Sequence, residues 1–371
     1  MWQEGVSQEL QQTNETPMHQ ISEFRQVLQP LLGWHGARLA FVAQFLIALM
    51  RTRTVNLSEL AASFCGPAQI ESNDKRLQRF FCDFEVDYGA IARAVVAVMG
   101  IPQPWVLAID RTEWQFGGCV FNILTLGICH QGIAFPVVFG MLDKRGNSNT
   151  PERIDLLEEF FFIFGEDVRL GCLTSDREFV GREWVRYLQQ APQIPFRGRI
   201  RETERLSNGR KALNGRVVFA DLQAGETKLL RKRRQVWGRW VYVVGLRLNT
   251  QELLILITNQ APHSALSDYA LRWNLETLFG AFKTRGFCLE STHFIDADRV
   301  RKLFALLTLA LCWVMRTGLW RQEQKPISLK SHGRKAQSLF RYGLDFLHHL
   351  VVNLDHKLDE FLDTLKLLSC T

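Results

Sequence analysis

The fold class follows from the segment Trp105-Val106-Leu107-Ala108-Ile109-Asp110, a continuous apolar run that ends in a carboxylate. Five apolar residues without alternation predict a strand that is buried on both faces. Similar segments surround it: strands over 120–130 and 133–142, a helix over 152–164, a strand over 168–174, a helix over 184–190 and an extended segment over 194–200. The order of three strands, helix, strand, helix and strand predicts an α/β fold with parallel strands in its sheet.

This order fits a ribonuclease-H-like core, in which a hairpin meander is joined to parallel strands flanked by helices. Residues 101–200 and 260–322 make up the predicted core domain. Residues 201–259 interrupt it with strand-like pieces, such as Val217-Val218-Phe219, separated by glycines, and predict an inserted antiparallel β domain. Helical spacing of apolar residues predicts a helical domain over 21–100 and a C-terminal helical region over 323–371. Residues 1–20 are expected to be a mobile tail.

Composition restricts the class of protein. The 371 residues contain 45 Lys and Arg but 38 Asp and Glu, and the basic excess lies in two stretches. Fourteen basic and four acidic residues occur between Phe196 and Arg247, and ten and one between Arg299 and Arg341. This distribution is typical of a phosphate-binding surface, with a solvated arginine-rich loop as the alternative. The eight cysteines form no Cys-x-x-Cys motif and predict reduced thiols. The apolar run 303–315 is too short to cross a bilayer, so no membrane partner is expected.

Three acidic side chains are candidates for chemistry. Asp110 and Asp176 each follow a predicted strand, at the end where open sheets with parallel strands bind ligands. Glu276 lies in a predicted helix over about 267–284, in the pattern Tyr-x2-Arg-x3-Glu-x6-Lys formed by Tyr269, Arg272, Glu276 and Lys283. At about 3.6 residues per turn these four side chains fall within roughly 60° on one helix face. The alternative is a surface helix with a supporting Arg272–Glu276 pair.

The sequence resembles the DDE transposases of bacterial insertion sequences of the IS-four type. The resemblance covers roughly 57–316 and is carried by the Tyr-Arg-Glu-Lys pattern, by Asp110-Arg111-Thr112 followed by Trp114, by Thr174-Ser175-Asp176-Arg177-Glu178-Phe179 and by the strand-rich insertion. It implies that Asp110, Asp176 and Glu276 are the catalytic triad and metal ligands. It also implies that Tyr269, Arg272 and Lys283 hold phosphates near the cleaved end, and that Trp237 or Trp240 stacks on a flipped base.

The implied activity is that of a DNA transposase, which binds terminal inverted repeats, cleaves at the element ends and joins the 3′-OH ends to target DNA. Two Mg²⁺ or Mn²⁺ ions about 4 Å apart can supply this chemistry. Three carboxylates suit them because these ions prefer oxygen ligands, so we expect the three to converge within ligand distance of a metal pair. No nucleotide cofactor is required. The expected partner is double-stranded DNA, bound by a homodimer, in the bacterial cytoplasm on the nucleoid.

Further basic residues are candidates for DNA contacts. Arg197, Arg199 and Arg201 alternate along one predicted strand and are expected to point toward DNA. Arg76 and Arg79 lie on the second of two short predicted helices, which suits a helix-turn-helix, although an ordinary helical bundle has the same pattern.

Two other functions remain open. A DNA-binding regulator without nuclease activity would use the helical region and keep the acids as structural residues. An unrelated two-carboxylate hydrolase, such as a glycosidase, would use Asp110 and Asp176 as acid and base. The hydrolase leaves the basic stretches and the Tyr-Arg-Glu-Lys pattern unexplained, and metal-dependent nicking of DNA separates the regulator from a transposase.

Overall fold

The computed structural model describes residues 19–190, 193–260, 262–331 and 333–369. The predicted tail lies outside the described residues up to Met18, and the last two residues of its range begin the first helix. The described chain forms two compact units. One contains residues 19–100, 116–119 and 279–369, and the other contains residues 101–115 and 120–278.

Helices occur in both units, and the strands alternate with helices from Trp105 to Thr258. The helices of the described residues are α1 (His19–Leu32), α2 (Gly36–Thr52), α3 (Leu57–Ala62), α4 (Ile70–Asp83), α5 (Tyr88–Met99), α6 (Thr150–Phe164), α7 (Arg182–Gln189), α8 (Gly215–Val218), α9 (Ala265–Ala270), α10 (Trp273–Phe282), α11 (Ala297–Gln324), α12 (Leu339–Val352) and α13 (Leu354–Lys366). The strands are β1 (Trp105–Phe116), β2 (Cys119–His130), β3 (Ile133–Met141), β4 (Leu170–Ser175), β5 (Phe196–Ile200), β6 (Arg205–Ser207), β7 (Ala212–Asn214), β8 (Thr227–Leu229), β9 (Arg234–Val236), β10 (Arg239–Arg247) and β11 (Leu253–Thr258).

A mixed sheet forms the centre of the second unit. Its strands lie in the order β3-β2-β1-β4-β5-β11-β10-β9-β6-β7, with β8 paired to β10. β2 and β3 are antiparallel, whereas β4 is parallel to β1 and β5 is parallel to β4. The predicted meander followed by parallel strands is therefore confirmed, and the arrangement is consistent with a ribonuclease-H-like core.

The inserted strands extend the core sheet. β11 pairs antiparallel with β5 through Ile255↔Ile200, Leu256↔Arg199 and Ile257↔Gly198. All six residues of β11 are buried, and a strand that is apolar on both faces needs neighbours and covering layers on each side. The insertion is therefore antiparallel, as predicted, and is hydrogen-bonded to the core.

One inserted segment is a helix instead of the predicted strand. Val217-Val218-Phe219 was expected to be extended, but Gly215–Val218 forms the single turn α8. The turn buries Phe219 completely, and its ring lies where a Cβ on Gly245 of β10 would stand, at 2.5 Å. Tertiary packing of Phe219 thus overrides the strand preference of two valines.

The first unit is helical. α11 is long and apolar enough to cross a bilayer by length and composition, but 83 % of its most apolar window is buried within the protein. α1 and α2 reach that criterion only as a pair, and they meet at a bend of 115°. The burial of α11 is that of a core helix, as predicted for residues 303–315.

Candidate active site

The parallel ladder places the two aspartates side by side. β1 and β4 are in register up to Ile109↔Ser175, and Asp110 and Asp176 are the next residue of each chain segment. Their side chains are 17 % and 27 % exposed. β1 was expected to end at Asp110 but continues to Phe116, so the carboxylate marks the end of the parallel pairing and not the end of the strand.

The helix predicted over 267–284 is broken. α9 ends at Ala270 and α10 begins at Trp273, with a turn at Leu271 and Arg272 between them. Backbone N–H groups around this turn donate to carbonyls three residues earlier, and the Cys129 thiol donates to the Leu271 carbonyl at 3.3 Å. The prediction of one continuous face bearing four polar side chains is therefore wrong, and tertiary contacts bring three of the four to the aspartates.

Arg272 joins two of the three acids. Its guanidinium donates to Asp110 Oδ2 at 3.1 Å and to Glu276 Oε1 at 2.8 Å. Because one planar fork holds both, those two oxygens lie within about 8 Å of each other. The Arg272 side chain is only 6 % exposed, and its Nε is buried without a hydrogen-bond partner in the described residues.

Burial dominates the electrostatics of Asp110. It raises the pKa of the carboxyl to about 6, although the Arg111 backbone N–H and the Arg272 guanidinium act in the opposite direction. Desolvation therefore favours the neutral acid over the carboxylate, and a cation bound beside Asp110 would favour the carboxylate.

Tyr269 and Arg199 hold the second aspartate. The Tyr269 ring packs in an apolar cluster with Val244 and Leu256, and its hydroxyl donates to Asp176 Oδ1 at 3.2 Å. Burial first, and then the charge of Asp176, raises the pKa of Tyr269 to about 12, so the phenol keeps its proton. Arg199 approaches Asp176 Oδ1 at 3.6 Å.

The donor chemistry fits Mg²⁺ or Mn²⁺, but the arrangement holds no preformed site. Within the described ranges, no three His, Cys, Asp or Glu side chains are grouped so that they could hold a metal ion. In this conformation the Arg272 guanidinium lies between Asp110 and Glu276, and convergence of the three carboxylates on a metal pair stays a prediction. The Arg272 guanidinium is itself the cation that neutralises Asp110 and Glu276. The carboxylates of Asp110, Asp176 and Glu276 are the oxygen ligands that Mg²⁺ and Mn²⁺ prefer.

Sequence reasoning missed the residues that connect the two aspartate segments. Arg111 donates through Nε to Glu178 Oε1 and Oε2 at 3.1 and 3.2 Å. Buried Arg153 donates to the carbonyls of Glu178 and Val180 at 3.0 and 3.3 Å. The only sequence signal was that Arg111 and Glu178 lie inside the two motifs quoted above.

The other predicted phosphate ligands occupy different environments. Arg197 is 3 % exposed, and its guanidinium bonds Asp268 at 3.0 Å and Thr258 Oγ1 at 2.7 Å. The prediction that Arg197 points toward DNA is therefore wrong, because its buried charge is already paired. Arg201 is exposed just beyond β5, and Lys283 belongs to the helical unit, where its Nζ lies 2.8 Å from Glu290.

The two tryptophans of the insertion differ. Trp237 and Gly238 form the two-residue turn between β9 and β10, with φ of 49° and 76°, as mirror-image hairpin turns require. Trp237 is half-buried and donates through Nε1 to Glu204 at 2.9 Å. Trp240 is 44 % exposed on β10. A further exposed aromatic residue, Trp273, lies under the Arg272 guanidinium at 5.1 Å and was not predicted.

The two arginines of α4 also differ. Arg76 donates to Gln44 at 2.8 Å and lies over the Phe64 ring, so it joins α4 to its neighbours. Burial lowers the pKa of its guanidinium. Arg79 is exposed. A role for α3 and α4 in DNA binding remains a prediction.

Comparisons with known proteins found two similarities. Among solved structures, the chain is similar to a piggyBac transposase synaptic complex with hairpin DNA, at 13 % identity and a TM-score of 0.47, over 94 % of this chain and 82 % of that one. No curated protein matches the sequence significantly. Residues 139–313 match the family described as transposase DDE domain, a range that contains Asp176 and Glu276 and begins after Asp110. Residues 139–313 are therefore similar to a transposase DDE domain.

Proposed function

We propose that this chain is a DNA transposase of the IS-four type, which binds the terminal inverted repeats of a bacterial insertion sequence, cleaves at the element ends and joins the 3′-OH ends to target DNA. The observation that carries the proposal is the cluster in which Arg272 joins Asp110 to Glu276 while Tyr269 holds Asp176. The match of residues 139–313 supports it.

Asp110, Asp176 and Glu276 would hold Mg²⁺ or Mn²⁺, two ions per site. When bound, these ions supply an activated oxygen nucleophile and stabilise the leaving oxygen of a phosphodiester. The protein itself orients the ligands: Tyr269 fixes one oxygen of Asp176, and the Arg111 backbone N–H bonds Asp110 Oδ1 at 2.8 Å. No nucleotide cofactor is involved.

Arg272 has a second task in this proposal. In the free protein its fork binds two carboxylates, and cations bound by those carboxylates would release it toward the nonbridging oxygens of a phosphate. Lys283, now paired with Glu290, would bind another phosphate as a point charge. Of the two insertion tryptophans, Trp240 is the one we assign to a displaced base, because its ring is exposed. A homodimer on paired DNA ends, in the bacterial cytoplasm, completes the proposal.

The test is nicking of a supercoiled plasmid that carries the short inverted repeats flanking the reading frame. The wild type should nick it with Mg²⁺ or Mn²⁺ and not in EDTA. Asp176→Asn should bind the plasmid but not nick it, because it preserves the shape of a ligand and removes its charge. Asp221→Asn is the matched control, since Asp221 is exposed and pairs only with Lys228 in the contacts described, at 2.7 Å.

The alternatives give different results. Wild-type nicking by Asp176→Asn would contradict the triad. Repeat-specific binding without nicking in any metal would favour the DNA-binding regulator, whose acids would then serve only as partners of Arg272.

A further inference from the structure

A basic pocket lies beside Asp176, at the end of β5 and the turn between β10 and β11. It has a volume of about 450 Å³, and its lining includes three arginines, Arg177, Arg199 and Arg201, and two carboxylates, Glu202 and Glu252. Glu202 pairs with Arg216 at 3.1 Å. Three guanidinium groups around one cavity form a binding site for an anion, because each presents a planar fork that fits phosphate oxygens. None of the metal-binding carboxylates lines this pocket.

Glu252 is the carboxylate that now pairs with this basic group. It accepts a close hydrogen bond from Arg199 Nη2 and lies 3.9 Å from Arg177 Nη1. Its backbone is held in the hairpin turn, where the Leu248 N–H donates to the Glu252 carbonyl at 2.8 Å. The side chain is half exposed, so it can rotate into solvent without moving the strands.

The position of Arg199 connects the pocket to the reaction centre. Arg199 is 15 % exposed and reaches both Glu252 and Asp176, the latter at 3.6 Å. An anion that replaces the Glu252 carboxylate would therefore bond Nη2 of Arg199, whose Nη1 lies 3.6 Å from Asp176 Oδ1. A phosphodiester held at Asp176 has neighbouring phosphates along the same strand, and one of them can occupy such a position.

We propose that the pocket formed by Arg177, Arg199 and Arg201 binds a backbone phosphate of the DNA strand next to the cleavage point, and that Glu252 occupies its place in the DNA-free protein. This inference rests on the proposed function for its choice of DNA as the ligand. The Glu252 carboxylate is half exposed, so solvent screens its ion pairs in part and a phosphate can replace it. Glu252 then acts as a competitor of DNA and lowers the affinity of the free protein.

The test measures binding in EDTA, where no cleavage occurs. The probe is a fluorescein-labelled duplex with the element-end sequence, followed by anisotropy over a series of salt concentrations. Glu252→Gln should bind the duplex about fivefold more tightly than the wild type, the change that loss of an exposed ion pair allows. The matched control is Glu183→Gln, which removes the same charge from the exposed pair with Arg186 on α7 and should change the affinity by less than about twofold.

A double variant separates a local competitor from a general charge effect. In an Arg177→Gln, Arg201→Gln background the gain from Glu252→Gln should shrink, because only Arg199 of the three arginines remains to bind the phosphate, and the salt slope should fall by about one unit for each arginine lost. An unchanged gain in that background, or an equal gain from Glu183→Gln, would overturn the inference.

Competition with inorganic phosphate separates the two sources of a phosphate. The duplex should remain bound when inorganic phosphate is added at the same concentration as the salt of the binding buffer. Displacement by low concentrations of phosphate from the wild type but not from the Arg177→Gln, Arg201→Gln variant would assign the pocket to a small free anion and overturn its assignment to DNA. Because the assay needs no cleavage, failure of nicking and failure of this inference are distinguishable.

Discussion

Replacement of Arg272 by alanine should destabilise the metal-free protein by about 3 kcal/mol at pH 8. The pair with Asp110 is buried, with 6 % and 17 % of the two side chains exposed and 3.1 Å between the charged atoms. Loss of one partner of a buried pair leaves the other charge uncompensated and costs about 3 to 5 kcal/mol. The pair with Glu276 adds only a few tenths, because that carboxylate is 42 % exposed.

The cost should be smaller at pH 5.5 than at pH 8. Burial already raises the pKa of Asp110 to about 6 in the wild type. The folded protein therefore binds a proton at Asp110 more tightly than the unfolded chain, in which the pKa of an aspartate is near 4. The stability that this proton contributes is full below about pH 4 and is lost as the pH rises to about 6. Removal of Arg272 raises the pKa further. The variant therefore recovers stability on acidification through proton uptake by Asp110.

Equilibrium unfolding in urea, followed by tryptophan fluorescence in EDTA, measures both effects. Added Mn²⁺ should stabilise Arg272→Ala more than the wild type, because the ion neutralises the carboxylates that the guanidinium has left. The control is Arg186→Ala, whose pair with Glu183 is more than half exposed on both sides and should cost under about 0.5 kcal/mol. A cost for Arg272→Ala as small as that of the control, at both pH values, would refute the role of Arg272 as an internal counter-ion.

Two pairs of residues give further predictions. Trp240→Ala should weaken binding of a duplex with an unpaired base near the element end by about 1 to 3 kcal/mol without lowering the unfolding temperature. Trp237→Ala should lower the unfolding temperature without weakening binding. Anisotropy and thermal unfolding of both variants check this. Arg79→Gln should lower the salt slope of DNA binding by about one unit, whereas Arg76→Gln should chiefly reduce stability, because its guanidinium bonds Gln44. An unchanged salt slope for Arg79→Gln would leave α3 and α4 as parts of an ordinary helical bundle.

The core of the fold could be predicted because its signals are local. The apolar runs that become β1 and β4 are each followed by an aspartate, and adjacent parallel strands bring such residues to one edge by geometry alone. Asp110 and Asp176 therefore follow the last residues of the parallel pairing, although β1 itself continues past Asp110. The expected insertion likewise follows from short apolar pieces separated by glycine.

The failures come from contacts between residues distant in the chain. The Leu271 carbonyl in the break accepts a hydrogen bond from Cys129, more than a hundred residues earlier, and no periodicity reveals such a contact. Period-two spacing put Arg197 and Arg199 on one face, but Asp268 pairs with the first and Asp176 with the second. For both arginines the sequence identified a charged side chain, but whether that charge is available to a ligand depends on the partner that the fold places beside it.

The pairing of β11 with β5 limits how a ligand gains access to the aspartates. Three register pairs bond the last strand of the insertion to the strand that carries Arg199, so the insertion cannot swing away as a hinged lid without breaking a ladder inside the sheet. Under the proposed function, access would then depend on rotation of individual side chains, the half-exposed Glu252 and the buried Arg272, which leaves the backbone in place. Charge would set the order of events, because an incoming cation or phosphate would open the site by replacing the ion pair that closes it.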